Sequence, residues 1–218
     1  MAADIEACGK ALAKAKRPRI HTGIGVSDIH ITGKFRDEKY GRTLAEKRVK
    51  IVRMASEAVK LARKLADDVE FYAEDAGRAE PAYLFEVLQA AIDAGATVVN
   101  IPDTTGYTVP EQFGGLIRSI KESVPNIGRA TISVHCHDDL GLAVANSLAG
   151  VRNGARQVEG TINGIGERAG NAALEEVVMG LRTRRDYFGV VTGVETREFN
   201  RTSRLVADML GMMVPPNK

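Results

Sequence analysis

Strand-like and helix-like segments alternate almost from one end of this chain to the other, and every strand-like segment runs out into a cluster of polar side chains. The segments that read as strands are Arg19–Gly25, 68–72, 97–101, 130–134 and 157–162. Between them the apolar period lengthens to three and four residues, the helical repeat. Val52, Ala55, Val59 and Ala62 mark a long helix from Thr43 to Lys64. Leu84, Val87, Leu88 and Ala91 mark a second, started by Pro81 and stopped by Gly95. Thr108 and Glu111 have capping-box spacing ahead of a third, through Phe113, Leu116, Ile117 and Ile120. Further helices are expected over 4–15, 142–151 and 171–181.

Strands separated by helices argue for parallel βα units, because parallel neighbours need a long crossover. Two architectures satisfy this, an open doubly wound sheet and a (β/α)8 barrel. The position of the polar residues discriminates between them. An open sheet gathers its ligands at one switch point, whereas a barrel collects them from many strands at its C-terminal rim. The exits carry His21 and Asp28; Glu74 and Asp75; Asn100, Asp103 and Thr104; His135 and His137; and the stretch from Asn163 to Asn171. Five loaded exits favour the barrel, an α/β fold of TIM type. A barrel has eight strands in about 250 residues, so the expectation is an incomplete one. Residues 1–190 read as about the last five βα units, with the first three strands outside this sequence. Residues 191–218, with Pro215-Pro216, read as a helix and linker leading toward a further region.

His135-Cys136-His137 sharpens the reading. Residues two apart on a strand emerge on one face, so two imidazoles can address one divalent cation while Cys136 points into the packing behind. Asn171 follows 34 positions after His137, inside Gly-Ile-Gly-Glu-Arg-Ala-Gly-Asn. Two imidazole nitrogens and an amide oxygen do not make a closed structural zinc site. They suit an open catalytic site in which a substrate completes the coordination. The glycine run is one residue out of step for a dinucleotide fingerprint and lacks an early βαβ unit around it. Its glycines read instead as a sharp turn that brings Asn171 to the histidines, with Glu167 and Arg168 as an ion pair bracing it. Cys8 and Cys136 form no disulfide framework, which fits the cytoplasm. A net charge of +2 gives no reason to expect nucleic acid as a partner, and no apolar run approaches a membrane span.

Six runs then carry a resemblance: Ile20-His21-Thr22, Ser27-Asp28-Ile29-His30, Glu74-Asp75-Ala76-Gly77-Arg78, Asn100-Ile101-Pro102-Asp103-Thr104, 133–141 and 164–176. Together they resemble the 2-isopropylmalate synthase family, acyl-CoA-condensing barrels of the DRE-TIM metallolyase superfamily that also include homocitrate and citramalate synthases. The resemblance implies that His135, His137 and Asn171 bind magnesium, manganese or zinc. It implies that His21, Asn100 and Thr104 line the pocket for a 2-oxo acid, and that Glu74 handles a proton or orients that acid. The reaction implied is the first committed step of leucine biosynthesis. The methyl of acetyl-CoA, the co-substrate, is deprotonated and attacks 3-methyl-2-oxobutanoate; thioester hydrolysis gives 2-isopropylmalate. A homodimer is implied for the full-length form.

The sequence also departs from that family. The opening strand, with its aspartate metal ligand and an adjacent arginine, is not in it, so three ligands without a carboxylate should hold a cation weakly and this polypeptide alone should show little synthase activity. Tyr72-Ala73 stands where the family usually has Ser-Pro, which should crowd the keto-acid side. Gly23 and Gly25 stand where it commonly has an aromatic residue and alanine, which should enlarge the pocket near His21 and admit a longer or bulkier acid. The alternatives are a homocitrate or citramalate synthase, a metal-dependent aldolase or lyase of the same superfamily, and a non-catalytic truncated paralogue acting only with another subunit.

Overall fold

A computed structural model describes residues 2–214 of the chain; Pro215-Pro216 lie outside the described residues. The element order is α1 (Ala2–Ala11), β1 (Arg19–Gly25), α2 (Asp28–Lys34), α3 (Leu44–Arg63), β2 (Asp68–Glu74), α4 (Pro81–Asp93), β3 (Val98–Asp103), α5 (Pro110–Ser123), β4 (Thr131–Cys136), α6 (Ala143–Arg152), β5 (Gln157–Glu159), α7 (Leu174–Thr183), α8 (Arg185–Phe188) and α9 (Phe199–Leu210).

Local chemistry sets the helix ends. Thr43 caps α3 and Glu46 closes the reciprocal bond, a full capping box, while Ile51, Ala55, Ala58, Val59 and Ala62 form its buried face. Glu80 caps α4 through the backbone N–H groups of Ala82 and Tyr83. The start of α5 differs from expectation. Val109 is its cap residue and offers no side-chain bond. Thr108 is instead drawn inward, its hydroxyl donating to Asp103 at 2.6 Å. A buried carboxylate outcompeted the helix end for that hydroxyl.

The five strands form one parallel sheet in the order β1-β2-β3-β4-β5. This order decides between the two architectures. Right-handed crossovers that always step the same way put every helix on the same face, and only a reversal of order would cover both. Alternation in the strands agrees. Ile20, Val69, Phe71, Val99, Ile101, Ile132, Val134 and Cys136 are buried in the core under the helices. On the other face the register aligns Gly23, Tyr72, Asn100, Ser133 and Gln157 in one row across all five strands. A one-sided apolar sheet with a polar concave face is the wall of a (β/α)8 barrel, of which five βα units are present here. Beyond α7 the chain returns, and α9 settles against the Ile162–Gly164 turn, where Asn163 Nδ2 donates to the Ser203 carbonyl at 3.0 Å.

Candidate functional site

One cavity of about 520 Å3 opens on the polar face, and all seven residues singled out from the sequence line it: His21, Glu74, Asn100, Thr104, His135, His137 and Asn171. Tyr72, Pro102, Glu159, Gly166 and Glu167 complete its wall.

At its centre the Nε2 atoms of His135 and His137 lie 3.1 Å apart, with the rings edge to face. His137 Nδ1 lies 2.7 Å from the Thr104 carbonyl and 2.8 Å from Arg168 Nη2; in the tautomer whose Nδ1–H donates to that carbonyl, the Nε2 lone pair faces His135. The Arg168 guanidinium packs against the same carbonyl at 2.9 Å, held there by Asp139 at 2.7 and 2.8 Å. Asp139 is therefore the closer partner of Arg168, and Glu167, at 3.3 Å, the more distant one. Burial, reinforced by the neighbouring His137 ring, pushes the His135 imidazole down toward its neutral form, the form that binds metal.

Asn171 enters from the glycine-rich turn. Its Nδ2 donates to the Ile165 carbonyl at 3.2 Å, while its Oδ1 is buried without a partner. Glycine at 166 leaves room for the Asn171 amide, since a Cβ there would lie 2.5 Å from Asn171 Nδ2. A buried amide oxygen left unsatisfied costs roughly 1–3 kcal/mol. Two convergent imidazole nitrogens and that orphaned oxygen fit a divalent cation, and they are the residues that would hold one.

The remaining residues are fixed by their neighbours. Asn100 Nδ2 donates to Ser133 Oγ at 3.0 Å and to Glu159. Thr104 Oγ1 accepts the Asp75 N–H at 2.9 Å, so its own hydroxyl hydrogen stays available to a ligand. Glu74 is gripped by Lys34 Nζ at 2.7 and 2.6 Å, with His30 Nδ1 at 3.5 Å. Lys34 and His30 come from α2, a seven-residue helix capped by Ser27 that the sequence pattern did not reveal. Ser27 also donates to Asp75, tying α2 to the end of β2. Burial lowers the His21 imidazole's affinity for a proton as well.

Two residues that sequence reasoning passed over matter here. Glu70 and Glu159 project onto the cavity face, and with His21 they bring three ligand-type atoms within 4.8 Å of one another. Their oxygens are already used: Glu70 accepts from Arg19 at 3.1 Å and Gln157 at 2.8 Å, and Glu159 from Ser133 at 2.8 Å. The group therefore reads as a hydrogen-bonded floor beneath the histidine pair. Strand alternation was the signal that could have found them, since Glu70 shares the face of Tyr72 and Glu74.

Burial, with the Glu159 carboxylate beside it, pushes the Glu70 carboxyl up to about 7. Burial pushes Glu159 upward too, but hydrogen bonds from Glu70 and Ser133 and the nearby imidazoles hold it below the ordinary carboxylate range. Of the two, Glu70 is the one whose proton is held more tightly. An acid whose proton is held more tightly in the fold contributes stability that is complete below its unfolded value near 4.5 and is lost as pH rises through about 7. Glu70→Gln mimics the protonated form. Its melting temperature should match that of the parent near pH 5 and exceed it increasingly toward pH 8. A difference that stays flat across that range, in paired thermal melts, would count against a proton held more tightly on Glu70.

The HMGL-like family model matches residues 1–206 of the chain. The 2-isopropylmalate synthase of Thermosynechococcus vestitus is 57% identical over 226 residues, an alignment taking in 99% of this chain and 41% of that protein. The 2-isopropylmalate synthase of Nitrosomonas eutropha is 56% identical over 216 residues, again 99% of this chain and 41% of the relative. The chain thus spans about two fifths of the length of these curated relatives. Among solved structures, hydroxymethylglutaryl-CoA lyase from Pseudomonas aeruginosa superposes with a TM-score of 0.71 at 19% identity, covering 94% of this chain and 67% of that one. At that identity the likeness speaks for the fold, a TIM-type barrel wall.

Proposed function

The chain belongs to the HMGL-like family, and from that premise we propose that it supplies the cation- and acceptor-binding part of an active site that condenses acetyl-CoA with a 2-oxo acid, taking 3-methyl-2-oxobutanoate to 2-isopropylmalate. The observation that carries the reading is the convergence of the His135 and His137 nitrogens, 3.1 Å apart, with the unpartnered Asn171 oxygen in the cavity shared by His21, Asn100 and Thr104. The two relatives named above, at more than half identity, support the choice of reaction.

A divalent cation held by His135, His137 and Asn171 would supply Lewis acidity toward the keto oxygen of the acceptor. The protein's own groups do the rest. The free Thr104 hydroxyl hydrogen and the His21 imidazole face the cavity and bind the acceptor's carboxylate end. Asn100, held by Ser133 and Glu159, walls the pocket beside them. Glu74, anchored at the rim by Lys34, is placed to take a proton from the methyl of acetyl-CoA. The carbanion forms the new carbon–carbon bond at the keto carbon, the proton removed by Glu74 goes to the keto oxygen, and water cleaves the thioester to give the free carboxylate and coenzyme A. His30 and Arg168 carry no step; they hold Glu74 and His137 in place.

Free-thiol release from acetyl-CoA by the full-length protein tests this. It should require 3-methyl-2-oxobutanoate and manganese together, and be lost on chelation. Release that is indifferent to the 2-oxo acid would overturn the reading, as would cleavage of 3-hydroxy-3-methylglutaryl-CoA in its place.

A further inference from the structure

The β1–β2 register sets Gly23 directly opposite Tyr72 on the cavity face. A Cβ built on Gly23 would collide with the Tyr72 carbonyl oxygen and would lie 2.5 Å from Tyr72 Cγ and 2.6 Å from Cδ1, closer than any side chain tolerates. The phenol ring therefore lies across the space a side chain at 23 would fill. It also stands edge-on to His21, with ring centroids 4.7 Å apart. Gly25 is matched in the same way, by His30 Cβ at 2.9 Å. The glycines of β1 thus do not enlarge the pocket beside His21, as the sequence alone suggests. They make room for the β2 backbone and for two rings arriving from elsewhere, and the pocket keeps a wall there, supplied by β2.

The Tyr72 ring has no other work among the described residues. Its hydroxyl makes no hydrogen bond to any of them, and the side chain is half-buried at the cavity between His21, Glu74 and Asn100. Desolvation, with the Glu74 carboxylate nearby, raises its pKa, so it stays a neutral phenol that donates rather than accepts charge. A rigid aromatic wall with two torsions selects by size. We infer that Tyr72 is a specificity-determining residue: its ring limits the side chain of the bound 2-oxo acid to short, branched aliphatic groups, and Gly23 is the vacancy that admits the ring. This rests on the condensation reading for its ligand class.

The test measures binding as well as turnover, so that the two readings can fail separately. Calorimetric titration of the manganese-loaded full-length protein compares 3-methyl-2-oxobutanoate with the longer 4-methyl-2-oxopentanoate. A single methylene in an apolar pocket discriminates by roughly 10- to 200-fold. In Tyr72→Ser the preference for the shorter acid should therefore fall by about 10-fold or more. Tyr72→Phe keeps the ring and should hold the parent's preference, a split that general loss of structure would not produce. Binding with parental selectivity in Tyr72→Ser overturns the inference, and so does failure of the parent to bind either acid. Selective binding that shifts in Tyr72→Ser, but without thiol release in the parent, upholds the role of Tyr72 and sinks the condensation.

Discussion

His135→Ala is expected to weaken manganese or zinc binding by about two orders of magnitude, measured by titration calorimetry on the purified protein. A four-ligand structural zinc site is worth about 10–16 kcal/mol in all, so one imidazole carries about 3 kcal/mol, or roughly 100-fold in affinity. The His137 Nε2 keeps its orientation through the Thr104 carbonyl, and the Asn171 oxygen keeps its place through the Gly166 turn, but two donors remain where three converged. The same titration separates this site from the floor of His21, Glu70 and Glu159. Were the cation held there, Glu70→Gln would abolish binding and His135→Ala would spare it. The expectation is the reverse, with Glu70→Gln close to the parent. Unchanged affinity in His135→Ala would remove the cation from this pair altogether.

The histidine pair was legible in the sequence because its signal is local. Alternation in β4 alone sends His135 and His137 one way and buries Cys136 the other, with burial pushing the thiol up and out of any reactive range. The order of βα units and the polar strand ends were enough for the barrel, and the sheet order agrees with them. What depends on cross-strand register was not legible. Nothing in the spacing of Gly23 and Tyr72, 49 residues apart, says that they face each other, as the register places them. Glu70 and Glu159 were hidden for the same reason, since their partnership is with each other across the barrel wall. The short helix α2 gave no periodic signal in its seven residues, yet it supplies the Lys34 that grips Glu74. Asn171 was legible as the end of the glycine-rich turn, but the contacts it makes there depend on the geometry of that turn.

The largest effect on stability is expected from Arg78→Ala. Asp75 follows Glu74 directly, is 1% exposed, and adopts a left-handed backbone at φ 66°, which aspartate tolerates better than most residues. Arg78 chelates its carboxylate through Nε at 2.9 and 3.1 Å and through Nη2 at 2.8 Å. Removing the guanidinium leaves a buried carboxylate facing only Ser27 and, at 3.7 Å, His30. Breaking a buried pair from one side costs about 3–5 kcal/mol. For a chain of this size each kcal/mol is worth roughly 2–4 °C, so the melting temperature should fall by about 6–20 °C. Arg78→Lys keeps the charge without the two-pronged geometry and should fall between. Asp75→Asn with Arg78→Met removes both charges and should recover most of the loss, which separates an orphaned carboxylate from a general packing defect. The damage should also reach the cavity. The Asp75 N–H is the donor that fixes Thr104, and Asp75 sits next to Glu74, so weaker 2-oxo acid binding should accompany the loss of stability. A melting temperature that does not move in Arg78→Ala would mean that solvent reaches Asp75 and that the turn behind Glu74 does not depend on this ion pair.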